Sequence, residues 1–233
     1  MIRLPRATLF TLLFSAGIAA FAQTIAPVAP SESIQNLDNV KADLKAYYEC
    51  TGTHGCYARD LDIQADRAIA FLEHRALHPR EGEKLAIVLD IDETTLSNYE
   101  EMVAADFAYD NDKFNAWIDS AKAPGLPATQ RIYEEAQHLG VSVFFVTGRT
   151  ESQRAATEKN LRAQGFDNWQ ELILRQPTEE KSKAIVYKPA ARAHIVAEGY
   201  TIILNVGDQW SDLRGMPSAE FSVKYPDPFY IIQ

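Results

Sequence analysis

The sequence predicts an α/β fold, with a central, mostly parallel sheet, helices on both of its faces and a helical pair ahead of it. Three observations carry that expectation. Four short apolar runs without polar alternation recur between residues 85 and 206, as strands buried on both faces require. Stretches with helical spacing separate them. Three of those stretches stop at Gly140, Gly165 and Gly199, where a left-handed C-terminal cap favours glycine.

Taken in order, Arg3 and Arg6 open the chain, an apolar run follows from Leu9 to Phe21, and Ala20-Phe21-Ala22 forms an A-x-A cleavage pattern. Residues 1–22 therefore read as a signal peptide, and the run is shorter than the roughly 20 residues a membrane span needs. No stable membrane span is expected, and a periplasmic or secreted location is. Residues 23–32 are rich in Ala, Pro and Ser and read as a flexible leader. Residues 33–233 are expected to form one domain. Within its first part, 33–80, Ile34, Leu37, Val40 and Leu44 recur at helical spacing, as do Leu61, Ala65, Ala68, Ile69 and Leu72. Between these helices lie Cys50 and Cys56. In an exported chain so close a pair suggests a disulfide, worth about 2.4 kcal/mol at most for so short a loop.

Leu85–Leu89 is the first expected strand. Helix Gln130–Leu139 then leads to strand Val141–Val146, helix Glu151–Gln164 to strand Leu172–Leu174, and a helix Ala190–Glu198, opening at Pro189, to strand Thr201–Val206. Ligands of such sheets bind beyond the carboxyl ends of the strands. Polar clusters stand at three of those ends: Asp90-Ile91-Asp92-Glu93-Thr94, Thr147-Gly148-Arg149, and Gly207-Asp208-Gln209-Trp210-Ser211-Asp212.

Residues two apart on a strand share a face, so Asp90 and Asp92 can enter one crevice if strand geometry continues that far. With Asp208 and Asp212 they make four acidic groups near one spot. Two like charges about 4 Å apart repel by roughly 4 kcal/mol at an effective dielectric near 20, so a cation is expected among them. Oxygen ligands combined with a substrate phosphate suit Mg²⁺. Glu93 reads as a residue of a helix's first turn. Thr147 offers a hydroxyl, Gly148 permits close approach of backbone N–H groups to an anion, and a helix starting near Thr150 would add its positive end. Arg149 is balanced between pairing with a substrate and lying on the surface. Of Lys181, Lys183 and Lys188, the last is best placed to neutralise a phosphoryl group. His54, His74, His78, His138 and His194 are scattered and are not expected to be ligands.

Assembled, these residues resemble the haloacid dehalogenase (HAD) superfamily of aspartyl phosphotransferases. The closest likeness is to its acid phosphatase subfamily of exported class B-like enzymes and plant vegetative storage proteins. Asp-Ile-Asp-Glu-Thr-Thr-Leu-Ser-Asn (90–98), Phe-Phe-Val-Thr-Gly-Arg (144–149), Val-Tyr-Lys (186–188), Gly-Asp-Gln-Trp-Ser-Asp-Leu (207–213) and the tail Lys-Tyr-Pro-Asp-Pro-Phe-Tyr (224–230) carry the resemblance. It implies a Rossmannoid three-layer sandwich with a small cap inserted at about 97–128. It also implies that Asp90 attacks phosphorus, that Asp92 protonates the leaving oxygen and then activates water, and that Thr147, Gly148 and Lys188 hold the phosphoryl group. Mg²⁺ would bind the Asp90 carboxylate, the Asp92 carbonyl and Asp208, with Asp212 supporting the metal or Lys188. The Cys50–Cys56 loop looks like an insertion relative to that family. Tyr99, Phe107, Tyr109, Phe114 and Trp117 in the cap either form its own small core or stack on a ligand.

Composition narrows the partners. The net charge is −9, and loss of Arg3 and Arg6 with the signal peptide takes it to 21 − 32 = −11. So acidic a surface repels a nucleic-acid polymer and leaves a small phosphorylated substrate. The expected activity is hydrolysis of phosphomonoesters. Two other classes compete with it: a non-catalytic storage or binding protein on the same scaffold, which intact Asp90, Asp92, Lys188 and Asp208 disfavour, and a signalling receiver domain, which the signal peptide and the late acidic motif disfavour.

Overall fold

The computed structural model describes residues 34–53, 55–179 and 182–232. The expected signal peptide (1–22) and leader (23–32) lie outside the described residues, as do His54 and Lys181. Five strands form one sheet: β1 (Lys84–Leu89), β2 (Ser142–Thr150), β3 (Glu171–Arg175), β4 (Tyr200–Gly207) and β5 (Phe221–Lys224). Their order is β3-β2-β1-β4-β5, and every neighbouring pair is parallel. The fifth strand is additional to the four expected ones. It has four residues and a single fully buried side chain, Val223, so it carries no apolar run.

Alternation along the central strands builds two cores. Ile87 and Leu89 of β1, with Val143 and Phe145 of β2, pack on one face. They meet Leu61, Ala65, Ala68 and Leu72 of α2 (Tyr57–Ala76), Ile132 and Ala136 of α5 (Pro127–His138) and Leu161 of α6 (Arg154–Ala163). Ala86, Val88, Phe144 and Val146 point the other way, onto Ala191 and Ile195 of α7 (Ala184–Ala197). Right-handed crossovers account for the division. Connections from β1 outward to β2 and β3 put α5 and α6 on one side, and the return to β4 puts α7 on the other.

Helix α1 (Leu37–Tyr48) starts at an Asn36 cap whose side chain accepts the Asp38 N–H at 2.9 Å. None of its residues is fully buried, and Leu37 is 64% exposed, so the expected apolar face is only half used. The Cys50–Cys56 disulfide closes the turn into α2. Between β1 and α5 lies an insertion with two short helices, α3 (Tyr99–Ala104) and α4 (Asn111–Ser120). Tyr48 of α1 stacks on Tyr99 with ring centroids 3.5 Å apart, and its hydroxyl lies 2.9 Å from Ser97 Oγ.

Two boundaries differ from expectation. Strand β2 runs on through Thr147–Thr150, with a register shift against β3 between Val146 and Thr150. The helix that ends beside Gly199 opens at Ala184, so Lys188 and Pro189 both sit inside α7. Proline disfavours helix in the residue before it. Here the buried ion pairs of Lys188, described below, and the packing of Tyr187 and Ala191 override that preference. The glycines at the helix ends adopt positive φ as expected, at 67° for Gly140, 87° for Gly165 and 89° for Gly199.

Candidate active site

Strands β1 and β4 are adjacent at the centre of the sheet, and their carboxyl ends open into one cavity of about 500 Å³. Asp90 follows β1 directly, and its N–H still donates to Val206 in the ladder at 3.0 Å. The chain then leaves the strand. The Ile91 carbonyl accepts the N–H groups of Thr94, Thr95 and Leu96, and Glu93 turns through φ 55°. Asp90 and Asp92 both line the cavity through this tight turn; strand geometry, the condition set for their sharing a crevice, ends at Leu89.

Lys188 reaches the same point from α7. Its ammonium donates to Asp90 Oδ1 and, at 2.7 Å, to the Val146 carbonyl, and it pairs with Asp212 Oδ1 at 2.8 Å. Burial works against its charge, but Asp212 and Asp90 outweigh it and raise its pKa well above normal. Asp208, at the end of β4, accepts the Thr94 hydroxyl on Oδ1 at 3.0 Å and the Gln209 amide on Oδ2 at 2.7 Å. Burial, then Asp90 and Asp212, push its carboxyl well above the usual range. Burial, followed by Asp212, pushes Asp90 up in the same direction, against the pull of Lys188. Asp212 sits on the short helix α8 (Trp210–Leu213), with Oδ2 on the Gln209 N–H at 2.9 Å. A Cβ at position 207 would overlap the Asp212 side chain, so only glycine fits there.

Asp92 has a different partner. Arg149 is 4% exposed and donates to Asp92 Oδ1 from Nη2 at 2.8 Å and from Nε at 3.1 Å. It is buried rather than on the surface, and it borders the cavity with its guanidinium turned to Asp92. Burial opposes ionisation of Asp92, but Arg149 and Asn98 overcome it and hold the carboxyl below its usual value. Glu93 is 1% exposed and is not helical, contrary to the first-turn expectation. It accepts the Asn98 N–H at 2.6 Å and the Tyr230 hydroxyl at 2.7 Å, and burial beside Asp92 pushes it up to about 8. No periodicity marks such a residue; only its place within the Asp90–Asn98 motif does.

Gly148 borders the cavity, and the Tyr187 hydroxyl approaches so closely that a Cβ at position 148 would lie 3.0 Å from it. Thr147 is fully buried behind that wall, where its Oγ1 accepts the Arg149 N–H at 3.1 Å. The apolar wall comes from the insertion, through Phe107, Tyr109 and Phe114, and from the tail, through Phe229, Tyr230 and Ile231. The tail is pinned by Gln209, which donates to Asp227 at 2.5 Å and accepts the Ile232 N–H at 3.0 Å.

Asp90, Asp208 and Asp212 are all buried, and each offers an oxygen within 4.8 Å of the others. Three carboxylates facing one ammonium leave an excess of two negative charges when all are ionised. The Asp92 carbonyl accepts no hydrogen bond among the described residues. An all-oxygen donor set with that charge fits a hard divalent cation.

The model of the family described as HAD superfamily, subfamily IIIB (acid phosphatase) matches residues 11–233. The chain is 39% identical over 148 residues to Acid phosphatase 1 of Solanum lycopersicum, covering 62% of this chain and 58% of that protein. It is 36% identical to the Stem 28 kDa glycoprotein of Glycine max, covering 76% and 65%, and 31% identical to Vegetative storage protein 1 of Arabidopsis thaliana, covering 87% and 75%. It thus spans less than two thirds of the length of the first two. The Class C acid phosphatase from Bacillus anthracis has the same fold, with a TM-score of 0.66 over 84% of this chain and 86% of that one at 24% identity.

Proposed function

The chain belongs to the acid phosphatases of HAD superfamily subfamily IIIB, and on that footing we propose that it is an exported, Mg²⁺-dependent phosphomonoester hydrolase working through an aspartyl-phosphate on Asp90. One observation carries the proposal: the convergence of Asp90, Lys188, Asp208 and Asp212, from three distant segments, at the ends of β1 and β4. The disulfide and the signal-peptide pattern support export. The acid phosphatase relative and the cavity's carboxylates both favour an enzyme over a storage protein.

Lys188 fixes Oδ1 of Asp90, while Oδ2 accepts no hydrogen bond among the described residues and is the nucleophilic oxygen. It bonds to phosphorus as the ester P–O bond breaks, and Asp92, which must first take up a proton from solvent because Arg149 and Asn98 hold it ionised, gives that proton to the departing oxygen. Asp92, now a carboxylate, takes a proton from water. The resulting hydroxide attacks phosphorus, the Asp90 acyl phosphate bond breaks, and inorganic phosphate leaves. Gly148 and Lys188 hold the phosphoryl oxygens from the cavity wall, whereas Thr147 lies buried behind it with its hydroxyl on the Arg149 N–H, and the insertion and tail flank the opening. Asp90, Asp208 and the Asp92 carbonyl would hold Mg²⁺, with Asp212 supporting it; bound there, the ion neutralises phosphoryl charge.

Hydrolysis of p-nitrophenyl phosphate by the purified protein tests this. Activity is expected with Mg²⁺ and not with EDTA, and Asp90→Asn should lower kcat by roughly 10³-fold or more. An Asp90→Asn variant at the wild-type rate would exclude this nucleophile. A storage role predicts no turnover and no Mg²⁺-dependent capture of beryllofluoride.

A further inference from the structure

Asn98 is fully buried at the start of α3, and every polar group of its side chain is engaged. Trp117 of α4 donates its indole N–H to Asn98 Oδ1 at 2.9 Å. An indole can only donate, so it fixes which way the amide faces. Nδ2 must then face the carboxylates, and it donates to Asp92 Oδ1 at 2.9 Å and to Glu93 Oε2 at 3.0 Å. Oδ1 of Asp92 thereby receives three N–H groups, two from Arg149 and one from Asn98. Oδ2 receives only a 3.3 Å contact from Arg149 Nε. A proton on Oδ1 would collide with donors already there, so the proton has one place to go.

We propose that Asn98 and Trp117 are positioning residues that lock the Asp92 carboxylate, so that Oδ2 is the oxygen exchanging the proton with the leaving group. The proposal rests on the reading of Asp92 as general acid and base. Trp117 does not border the cavity, so it acts only through Asn98. It belongs to the same insertion that supplies Phe107, Tyr109 and Phe114 to the cavity wall. The insertion therefore shapes the substrate side of the pocket and sets the aim of the proton donor through one chain of hydrogen bonds. Neither spacing nor composition signals this, because the indole and the amide lie 19 positions apart.

Leaving-group dependence is the readout, since p-nitrophenolate departs without a proton and an aliphatic alkoxide does not. We would measure kcat/KM, which covers steps up to the first irreversible one, for p-nitrophenyl phosphate and glycerol 2-phosphate in Mg²⁺. The proteins are the wild type, Asp92→Asn, Asn98→Ala and Trp117→Phe. Trp117→Phe keeps the ring and removes only the N–H, so it serves if Asn98→Ala fails to fold, as judged by thermal melting. Trp117→Phe is expected to lose roughly tenfold more on the alkyl ester than on the aryl ester, a part of the 10²–10⁴-fold worth of general acid catalysis. Its Mg²⁺-dependent capture of beryllofluoride should match the wild type, because Asp90 is untouched. Equal losses on both esters, or none, would overturn the lock. If Asp92→Asn itself discriminates between the esters while Trp117→Phe does not, the lock alone fails. If Asp92→Asn does not discriminate, the general-acid reading fails and takes the lock with it.

Discussion

Buried Asp208 stands beside Asp90 and Asp212, which share a single ammonium, that of Lys188. Removing it strands buried carboxylates, and breaking a buried pair on one side costs about 3–5 kcal/mol. Lys188→Met should therefore lower the urea midpoint of the metal-free protein as well as abolish turnover; an unchanged midpoint would mean that the carboxylates are protonated throughout. The same crowding predicts strong linkage to a divalent cation. At a free concentration near 100 times Kd the gain is about 2.7 kcal/mol, or a rise of roughly 5–10 °C in Tm for a domain of this size. Asp208→Asn should remove most of that rise in a thermal melt with and without Mg²⁺. At this scale the motif residues were legible in the sequence, because acidic groups directly after buried strands have few structural uses. The partners of Asp92 were not. Arg149 and Asn98 are ordinary residues in the sequence, and only the turn at Glu93 brings them to one carboxylate.

Among the elements, α2 owes its anchoring to more than its apolar face. Arg75 in its last turn pairs with Glu83, just before β1, at 2.8 Å and with Glu220, just before β5, at 2.7 Å. The Arg75 hydrogen bonds hold the Glu83 carboxyl at about 2, below its usual 4.5. A depressed folded-state pKa gives stability that is full above the unfolded value and is lost as the pH falls toward the folded one. Glu83→Gln should thus lower Tm at pH 7, and the gap to the wild type should narrow as the pH falls from about 4.5 toward 2. Melts at pH 7, 5 and 3 would check this, and a gap independent of pH would refute it. Helices α1, α2, α5 and α6 and strands β1 to β4 were readable from periodicity and, in part, terminal glycines, whereas α3, α4 and α8 were not. The start of α7 was not, since Pro189 looks like a first-turn residue and sits in the second turn instead. Nor was β5, whose short, half-exposed sequence pairs only because β4 offers a free edge beside it.

Over the whole molecule, the two ends of the described chain meet at the site. Phe229 of the tail packs among Tyr48, Tyr57, Tyr99 and Phe107, which come from α1, α2 and the insertion. Tyr230 then reaches Glu93 across the cavity mouth. Phe229→Ala should cost roughly 3 kcal/mol, at the low end for a large aromatic because the ring is only partly buried. It should also raise KM for aryl phosphates more than it lowers kcat, as measured by urea unfolding and steady-state kinetics; a KM unchanged at lower stability would confine the tail to a structural role.

The sequence by itself determined the class of fold, the two-faced burial of the central strands and the acidic groups that directly follow β1 and β4. Each of these depends on what a residue does with its near neighbours along the chain. Tertiary structure alone decided which oxygen of Asp92 is the less engaged, where the tail lies, and that Glu93 is buried among hydrogen bonds. Those facts concern the direction of side chains from segments up to 137 positions apart. Hydrogen bonds between such segments depend on orientation at the scale of an ångström, which a one-dimensional pattern of apolar and polar residues does not encode.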